Sequence, residues 1–400
     1  MSGEALKTVM DMRADPYAAA RAWKERTGGQ VIGYFCCLAP EEIIHAAGAL
    51  PVRITGRDKA ISKSGAHLQT YCCSLARTGL DMALEGELSF MDGTVFVHTC
   101  DTMMRLSDIW RLNVGFAIHG DVVLPVRFEG KSAREYAYRE LAHFKNKMEE
   151  FLGPIEEVAL RESIELYNKN RRLLAELYSI RRENPGVLPY DEALWLATAS
   201  SLMEKKEHNE LLEEILADLR KSSPLVGEDK HPKGSSPLGG EEKGGGDTKD
   251  TKPPLPLFGI GSVMDQWEFL KMVERVGATL VDDDFCNGRR YFDTEAPEGP
   301  DPIESIAARL WDRQACPCKH HPDRDRAACL AERVADSGAR GAIFCLFKFC
   351  EPHAFDYPHV KKALDDAGVP SINLEIEQGS VSIEQLRTRV EALVETIRGS

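Results

Sequence analysis

At 400 residues the chain is long enough to bury two or three separate cores, and its 43% hydrophobic and 28% charged content is that of an ordinary globular protein. A net charge of −14 argues against general nucleic-acid binding. No run approaches ~18 apolar residues, so no membrane-spanning helix is expected.

The opening MSGEALKTVMDMRADPYAAA carries acids early and no apolar core, so a secretory leader is not expected and the chain reads as cytoplasmic. From there to residue 131 short apolar runs alternate with helical patterns. QVIGYFCCL reads as a strand and PEEIIHAAGAL as a helix opened by Pro40, with Glu41 and Glu42 in its first turn. PVRIT is a strand, SLARTGLDMALEG a helix, GTVFVHTC a strand, TMMRLSDIWRL a helix and DVVLPVRF a strand. Such alternation predicts a largely parallel sheet covered on both faces, an α/β domain over 1–131. Residues 132–221 turn helical, with apolar residues at three- and four-residue spacing in four successive stretches. This segment is expected to join two α/β units. At 222–256 SSPLVGEDK is followed by the near-copy SSPLGGEEK in a stretch of Gly, Pro, Ser and charge without aromatics. Such a composition buries too little apolar surface to offset ordering, so a disordered insertion is expected. The alternation resumes over 257–400: strands at LPLFGIGS, ATLVDDDFC, ARGAIFCLFKFC and PSINLEIE, and helices at MDQWEFLKMVERVG, IESIAARLWDR, RAACLAERVADSG, PHVKKALDDAG and VSIEQLRTRVEALVETIRG.

Eleven cysteines in a reducing compartment point to metal ligation or catalysis ahead of disulfides, with a buried apolar thiol as the ordinary alternative for each taken alone. Cys73, Cys100 and Cys350 stand out, each read as the end of a strand that gives way to a helix. The carboxyl ends of strands are where α/β folds gather reactive groups. Three thiolates meeting there suit an iron–sulfur cluster with one iron left open. Spacing alone argues weakly, because no CxxC-type fingerprint ties the three together and Cys350 can join the others only across an interface between the two units.

Other constellations are open to two readings. Glu41 and His45 share a helix face, so Glu42 and His45 are candidate acid–base groups, while acids in a first turn are also ordinary dipole partners. Cys36 and Cys37 precede that helix and fit either a pocket wall or a core. CPCKHH at 316–321 has zinc-ligand types but little room for tetrahedral closure, and Lys319, Arg324 and Arg326 suit either coenzyme A phosphates or a solvated loop. Cys286 in DDDFCNGRRYF is the strongest rival to the trio as an extra ligand, and Arg289, Arg290 and Tyr291 after it are candidates for a substrate pocket. Glu351 and His353 follow the third cysteine and fit either cluster contacts or helix capping. FGIGSVMD lacks GxGxxG and does not make a dinucleotide loop.

GYFCCLAPEEIIHAAGALPVRITG, YCCSLARTGLDMAL, HTCDTMMRLSDIW, DDDFCNGRRYF and FKFCEPHAFDYPHVKKALDDAGVPSINLE, in this order, resemble the benzoyl-CoA reductase / 2-hydroxyacyl-CoA dehydratase family over essentially the whole chain outside 222–256. The CPCKH stretch looks most like a catalytic subunit of benzoyl-CoA reductase. The resemblance implies two Rossmann- or flavodoxin-like halves with a [4Fe-4S] cluster between them, held by Cys73, Cys100 and Cys350. Cys72 is a register alternative to Cys73, which is favoured because Arg77 then falls at the family's Arg position. It further implies a homologous second catalytic subunit, an ATP-hydrolysing iron–sulfur activator that supplies low-potential electrons, and an acyl-CoA substrate. In the reductase, as used in anaerobic aromatic degradation, benzoyl-CoA is reduced to a dienoyl-CoA; in the dehydratases a ketyl radical leads to loss of water. Few protein charges are expected near the cluster. A double-cubane cluster reductase and a non-catalytic electron-transfer or scaffold subunit are the remaining alternatives.

Overall fold

The computed structural model describes residues 2–222, 253–313, 316–379 and 382–399, and most of the insertion expected at 222–256 lies outside them. Two helices that the sequence reading did not delimit come first, α1 (Ser2–Asp11) and α2 (Ala18–Thr27). Then β1 (Val31–Tyr34), α3 (Glu41–Ala46), β2 (Leu50–Arg53), α4 (Ser74–Leu84), β3 (Gly93–Val97), α5 (Asp101–Asn113) and β4 (Ile118–Val122) alternate. Four helices follow: α6 (Gly130–Leu152), α7 (Glu157–Glu183), α8 (Tyr190–Ala199) and α9 (Lys205–Ser222). The second alternation runs β5 (Leu255–Gly261), α10 (Trp267–Arg275), β6 (Ala278–Asp284), the single turn α11 (Arg289–Phe292), α12 (Pro302–Asp312), α13 (Arg326–Asp336), β7 (Ala342–Phe347), α14 (Glu351–Asp366), β8 (Ser371–Ile376) and α15 (Ile383–Gly399).

The strands form two four-stranded parallel sheets, ordered β2-β1-β3-β4 and β6-β5-β7-β8. This is an α/β fold with two parallel-sheet lobes, and the second order repeats the first: β5 answers to β1, β6 to β2, β7 to β3 and β8 to β4. It is the start of a doubly wound, flavodoxin-like order, whose ligand crevice lies beyond the carboxyl ends of the strands where the order reverses. The inner strands are buried along their length except at Pro256 in β5, which is why they read as continuous apolar runs rather than alternating ones.

The helical segment is the shared wall. Every residue of α8 except Glu192 is buried, as expected of a helix that is apolar all round. It packs on β6 and α10 of the second lobe and on α1 and α7, and the Trp195 indole donates to Val9 O at 2.6 Å. One continuous core therefore takes side chains from α1, both sheets and α15. No helix among the described residues is long and apolar enough to cross a membrane.

Three local expectations differ from what is observed. The strand expected at 121–128 ends at Val122, because Pro125 offers no N–H to a ladder and turns the chain at Leu124. Residues 54–73 contain no strand and only a short 3-10 turn at Ser64–Ala66, so Cys73 is reached by a loop. Helix α14 begins at Glu351, directly after Cys350, and runs through Pro358; Pro352 is tolerated in its first turn, where N–H groups lack helical partners anyway.

Candidate functional site

Cys73, Cys100 and Cys350 are the N-cap residues of α4, α5 and α14. Cys100 and Cys350 occupy matched places in the two lobes, after β3 and after β7. The first-turn N–H groups of Ala76 near Cys73, of Met103 and Thr102 near Cys100 and of His353 near Cys350 pull the thiols down against burial, although none of the three side chains makes a capping hydrogen bond. Helix N-termini carry unpaired N–H groups and a partial positive charge that favour anionic sulfur. Phe349, just before Cys350, is the single non-glycine residue at positive φ (64°) among the described residues; it turns the chain so that Cys350 caps α14.

The three cysteines line one cavity of about 100 Å³ between the lobes. Its apolar walls include Phe35, Leu75, Met103, Val263 and Phe347. Cys73 lines it and Cys72 does not. Burial, with the neighbouring Cys350 and Cys100 sulfurs adding to it, pushes the Cys73 thiol up. Burial pushes Cys100 up to about 11, and Cys350 is also raised by burial. Thiols in this state give up protons when metal binds. Among the described residues no group of three or more His, Cys, Asp or Glu is spaced to hold a metal ion. The cysteines ring a space, a donor set that suits a multi-iron cluster rather than one ion.

Four more cysteines border the same cavity: Cys36 in the turn after β1, Cys286 in the turn after β6, and Cys316 and Cys318 in the loop before α13. Cys316 and Cys318 lie with sulfurs 3.4 Å apart, and Cys286 lies 3.4 Å from Cys37 behind the wall. The expectation of few charges is not met. Arg53 Nη2 donates to Cys286 Sγ at 2.8 Å, Arg313 Nη2 to Cys37 Sγ at 3.3 Å and Arg290 Nη1 to Cys316 Sγ at 3.6 Å. All three guanidiniums are buried. Arg290 also donates to Gly261 O and, at 3.3 Å, to Nε2 of the buried His353. Burial, with Arg290 beside it, holds that imidazole well below its ordinary range, so it is neutral. The bonded Cys318 thiol and, after burial opposes it, Arg290 pull Cys316 down.

The other sequence candidates separate. Glu42 is buried against Arg171. Burial raises its carboxyl, but Arg171 and Arg309 overcome that and hold it at about 2. His45 Nδ1 pairs with Ser163 Oγ at 3.0 Å, and Glu41 accepts from the Tyr34 and Tyr291 hydroxyls at 2.6 and 3.1 Å. None of these three residues borders the cavity. Arg289 lies 3.5 Å from Asp282 and also stays outside it. Lys319 is buried, donates to Leu124 O at 3.1 Å and borders an outer groove of about 920 Å³ that also touches Cys100, Cys316 and Cys318. CPCKHH divides: its cysteines face the cavity while His321 stacks on Phe128 at 5.0 Å. Arg53 and Arg313 were not singled out from the sequence, although a cation inside the buried-strand pattern PVRIT is the signal that marks the first.

The family model described as "2-hydroxyglutaryl-CoA dehydratase, D-component" matches residues 36–397. The chain belongs to that family. Similar curated proteins include a benzoyl-CoA reductase subunit of Thauera aromatica, 27% identical over 96% of this chain and 95% of that one. Lactoyl-CoA dehydratase subunit beta of Anaerotignum propionicum is 26% identical over 98% of both chains, and (R)-phenyllactyl-CoA dehydratase beta subunit of Clostridium sporogenes 25% identical over 93% of both. The family thus spans subunits named for acyl-CoA reduction and for acyl-CoA dehydration, at identities that do not separate the two.

Proposed function

We propose that the chain is a catalytic subunit of a benzoyl-CoA reductase-like complex, with Cys73, Cys100 and Cys350 as ligands of a [4Fe-4S] cluster. The observation that carries this reading is the convergence of three cysteine-capped helix N-termini, two from one lobe and one from the other, on one apolar cavity. When bound, such a group supplies one-electron transfer at low potential. The residues of this chain then have defined tasks. The N-terminal ends of α4, α5 and α14 stabilise the charge of the sulfurs. Phe35, Leu75, Met103 and Phe347 keep water from the centre. Neutral His353, with Nδ1 3.3 Å from Cys350 Sγ, fixes that side chain. The outer groove, bordered by Lys319, His359 and Lys362, suits the acyl-CoA, with Arg290 at the inner end where the acyl group meets the cavity. The relatives' names as subunits support a homologous partner chain, and a very negative electron demand calls for an ATP-hydrolysing activator.

The test is anaerobic co-purification with the partner subunits, iron analysis, and an assay of ATP-dependent benzoyl-CoA reduction beside dehydration of a 2-hydroxyacyl-CoA. Cys73→Ala, Cys100→Ala and Cys350→Ala are each expected to lower bound iron, whereas Cys329→Ala on α13 is not. Dehydration without reduction would move the assignment to the dehydratases. A colourless, iron-free chain made anaerobically would overturn the reading.

A further inference from the structure

Cys73 is the one proposed ligand that no strand delivers. Cys100 and Cys350 follow the ends of β3 and β7 closely, whereas residues 54–73 contain no strand. That loop is tied to its own helix, with Asp81 on α4 accepting from Ser62 N at 2.7 Å and from Ser64 N at 2.6 Å. Neither bond sets where the start of α4 lies relative to the second lobe, which carries Cys350.

The chain just beyond β8 sets that relation. Gln378 is 2% exposed, and both its amide hydrogens and its oxygen are engaged. Thr78 Oγ1 donates to Gln378 Oε1 at 2.8 Å, and Nε2 donates to Thr55 O at 3.1 Å and to Asp265. The Gln378 backbone N–H donates to Ser74 Oγ at 3.2 Å, and Arg77 lies 3.6 Å from Glu377. Ser74 directly follows Cys73, and Thr78 lies one turn further along α4. On the other side the path to Cys350 is equally short: Lys348 N donates to Ile376 O at 2.9 Å, and Cys350 N to Phe347 O at 3.0 Å. Gly56, at φ 72°, leaves the room for this meeting, since a Cβ there would stand 2.5 Å from Thr78 Oγ1 and 2.8 Å from Gln378 Oε1. A buried amide partnered in this way fixes position more sharply than apolar contact does, because few arrangements satisfy every donor and acceptor at once.

We propose that Gln378 is a positioning residue: it holds the first turns of α4, and with them Cys73, in register with Cys350 of the opposite lobe. The inference rests on the proposed function for what Cys73 binds, but not for the clamp itself. Residues that orient a metal ligand without touching the metal tune both affinity and electronic environment. Loss of the clamp leaves all three thiols in the chain and loosens the placement of one.

The experiment compares the wild type with Gln378→Met, which keeps the bulk and loses the side-chain hydrogen bonds, and with Thr78→Val and Thr78→Ser. Ser163→Ala is the control, because it removes a buried hydrogen bond between α3 and α7. The full chain is measured anaerobically in two states. Iron-free, it is followed by amide hydrogen exchange; loaded with ferrous iron and sulfide, it is followed by iron loss to a chelator and by electron paramagnetic resonance after reduction. In Gln378→Met and Thr78→Val the first two turns of α4 are expected to exchange about tenfold faster, iron to leave faster and the resonance to shift. Thr78→Ser, which keeps the hydroxyl, is expected to follow the wild type, as is Ser163→Ala in α4 exchange and in the resonance. Unchanged exchange at α4 overturns the clamp. Faster exchange with wild-type iron retention and resonance overturns the positioning role. The same changes in Ser163→Ala reduce the effect to general destabilisation and overturn it as well. A wild type that takes up no iron overturns the proposed function, while exchange still decides whether Gln378 holds α4. Where Gln378→Met does not fold, the two Thr78 variants carry the comparison.

Discussion

Glu42→Gln separates a structural carboxylate from a catalytic one. Glu42 lies on α3 and pairs with Arg171 of α7, with side-chain exposures of 2% and 4%. Ser163 Oγ donates to the Glu42 backbone carbonyl at 2.9 Å, tying the same two helices. Holding this carboxyl at about 2 rather than at its ordinary 4.5 is worth roughly 3 kcal/mol near neutral pH. Breaking a buried pair by removing one partner costs about 3–5 kcal/mol, since it leaves the other charge uncompensated. Both routes give a loss near 3 kcal/mol for Glu42→Gln. The sign fixes the pH window. A depressed carboxyl contributes its full stability above its unfolded value and loses that contribution as pH falls through its folded value. The gap between wild type and variant should therefore be widest above pH ~5 and should close toward pH ~2. Anaerobic urea unfolding of the iron-free chain at pH ~7 and pH ~3.5 measures it. Iron uptake per folded chain should not change, because Glu42 does not border the thiol cavity. A variant of wild-type stability that binds iron normally and yet has lost turnover would refute this reasoning and restore the acid–base role.

Asp265 behaves in the opposite sense: burial, against hydrogen bonds from Gln378 and Gln266, pushes it up to about 6, so it destabilises the fold as pH rises through that value. Asp265→Asn should gain at most about 3 kcal/mol at pH ~8 with the gain vanishing below pH ~4, and a pH-independent gain in urea titrations would contradict the assignment. Phe349→Gly relieves a left-handed residue at φ 64° and should raise stability by about 1 kcal/mol, read as a higher Tm; a lower Tm would mean that the exposed ring is anchored. Gly261→Ala places a Cβ 2.0 Å from Cys345 O across β5 and β7, which only backbone movement can relieve. That variant should lose about 3 kcal/mol or more and accumulate as insoluble chain, and a soluble protein of unchanged Tm would count against the sheet register.

Legibility in the sequence followed periodicity. VIGY, GTVFV and AIFCLF are buried on both faces, so their apolar runs announce strands directly, and α8 betrays itself by being apolar all round. The two sheets and the helical layer between them could be read for that reason. Cys100 and Cys350 were readable as strand-to-helix junctions because each truly follows a strand. Cys73 was readable only through its wording, since a loop precedes it. What spacing does not encode is convergence over long separations. Arg53 meets Cys286 across 233 residues and Arg313 meets Cys37 across 276, and no local pattern carries such pairings. The placement of Glu42 and His45 away from the thiol cavity has the same origin: sharing a helix face says nothing about which neighbour that face meets, and here it meets α7.

The buried arginines bear on the redox reading more than any other feature that the sequence hid. A low-potential centre needs surroundings that do not stabilise its reduced, more negative state, yet this cavity has three helix N-termini and the guanidiniums of Arg53 and Arg290 on its lining, with Arg313 buried behind it at Cys37. With only three thiolates present, that charge would favour reduction and raise the potential. On this argument Arg53, Arg290 and Arg313 favour negative charge on the sulfurs beside them, and removing one of them disfavours the more reduced state of a centre held there. Replacing Arg313 with Met should then lower iron retention first, with the remaining centre shifted to more negative potential in an anaerobic redox titration; a shift to more positive potential would break the chain of reasoning at the charge balance.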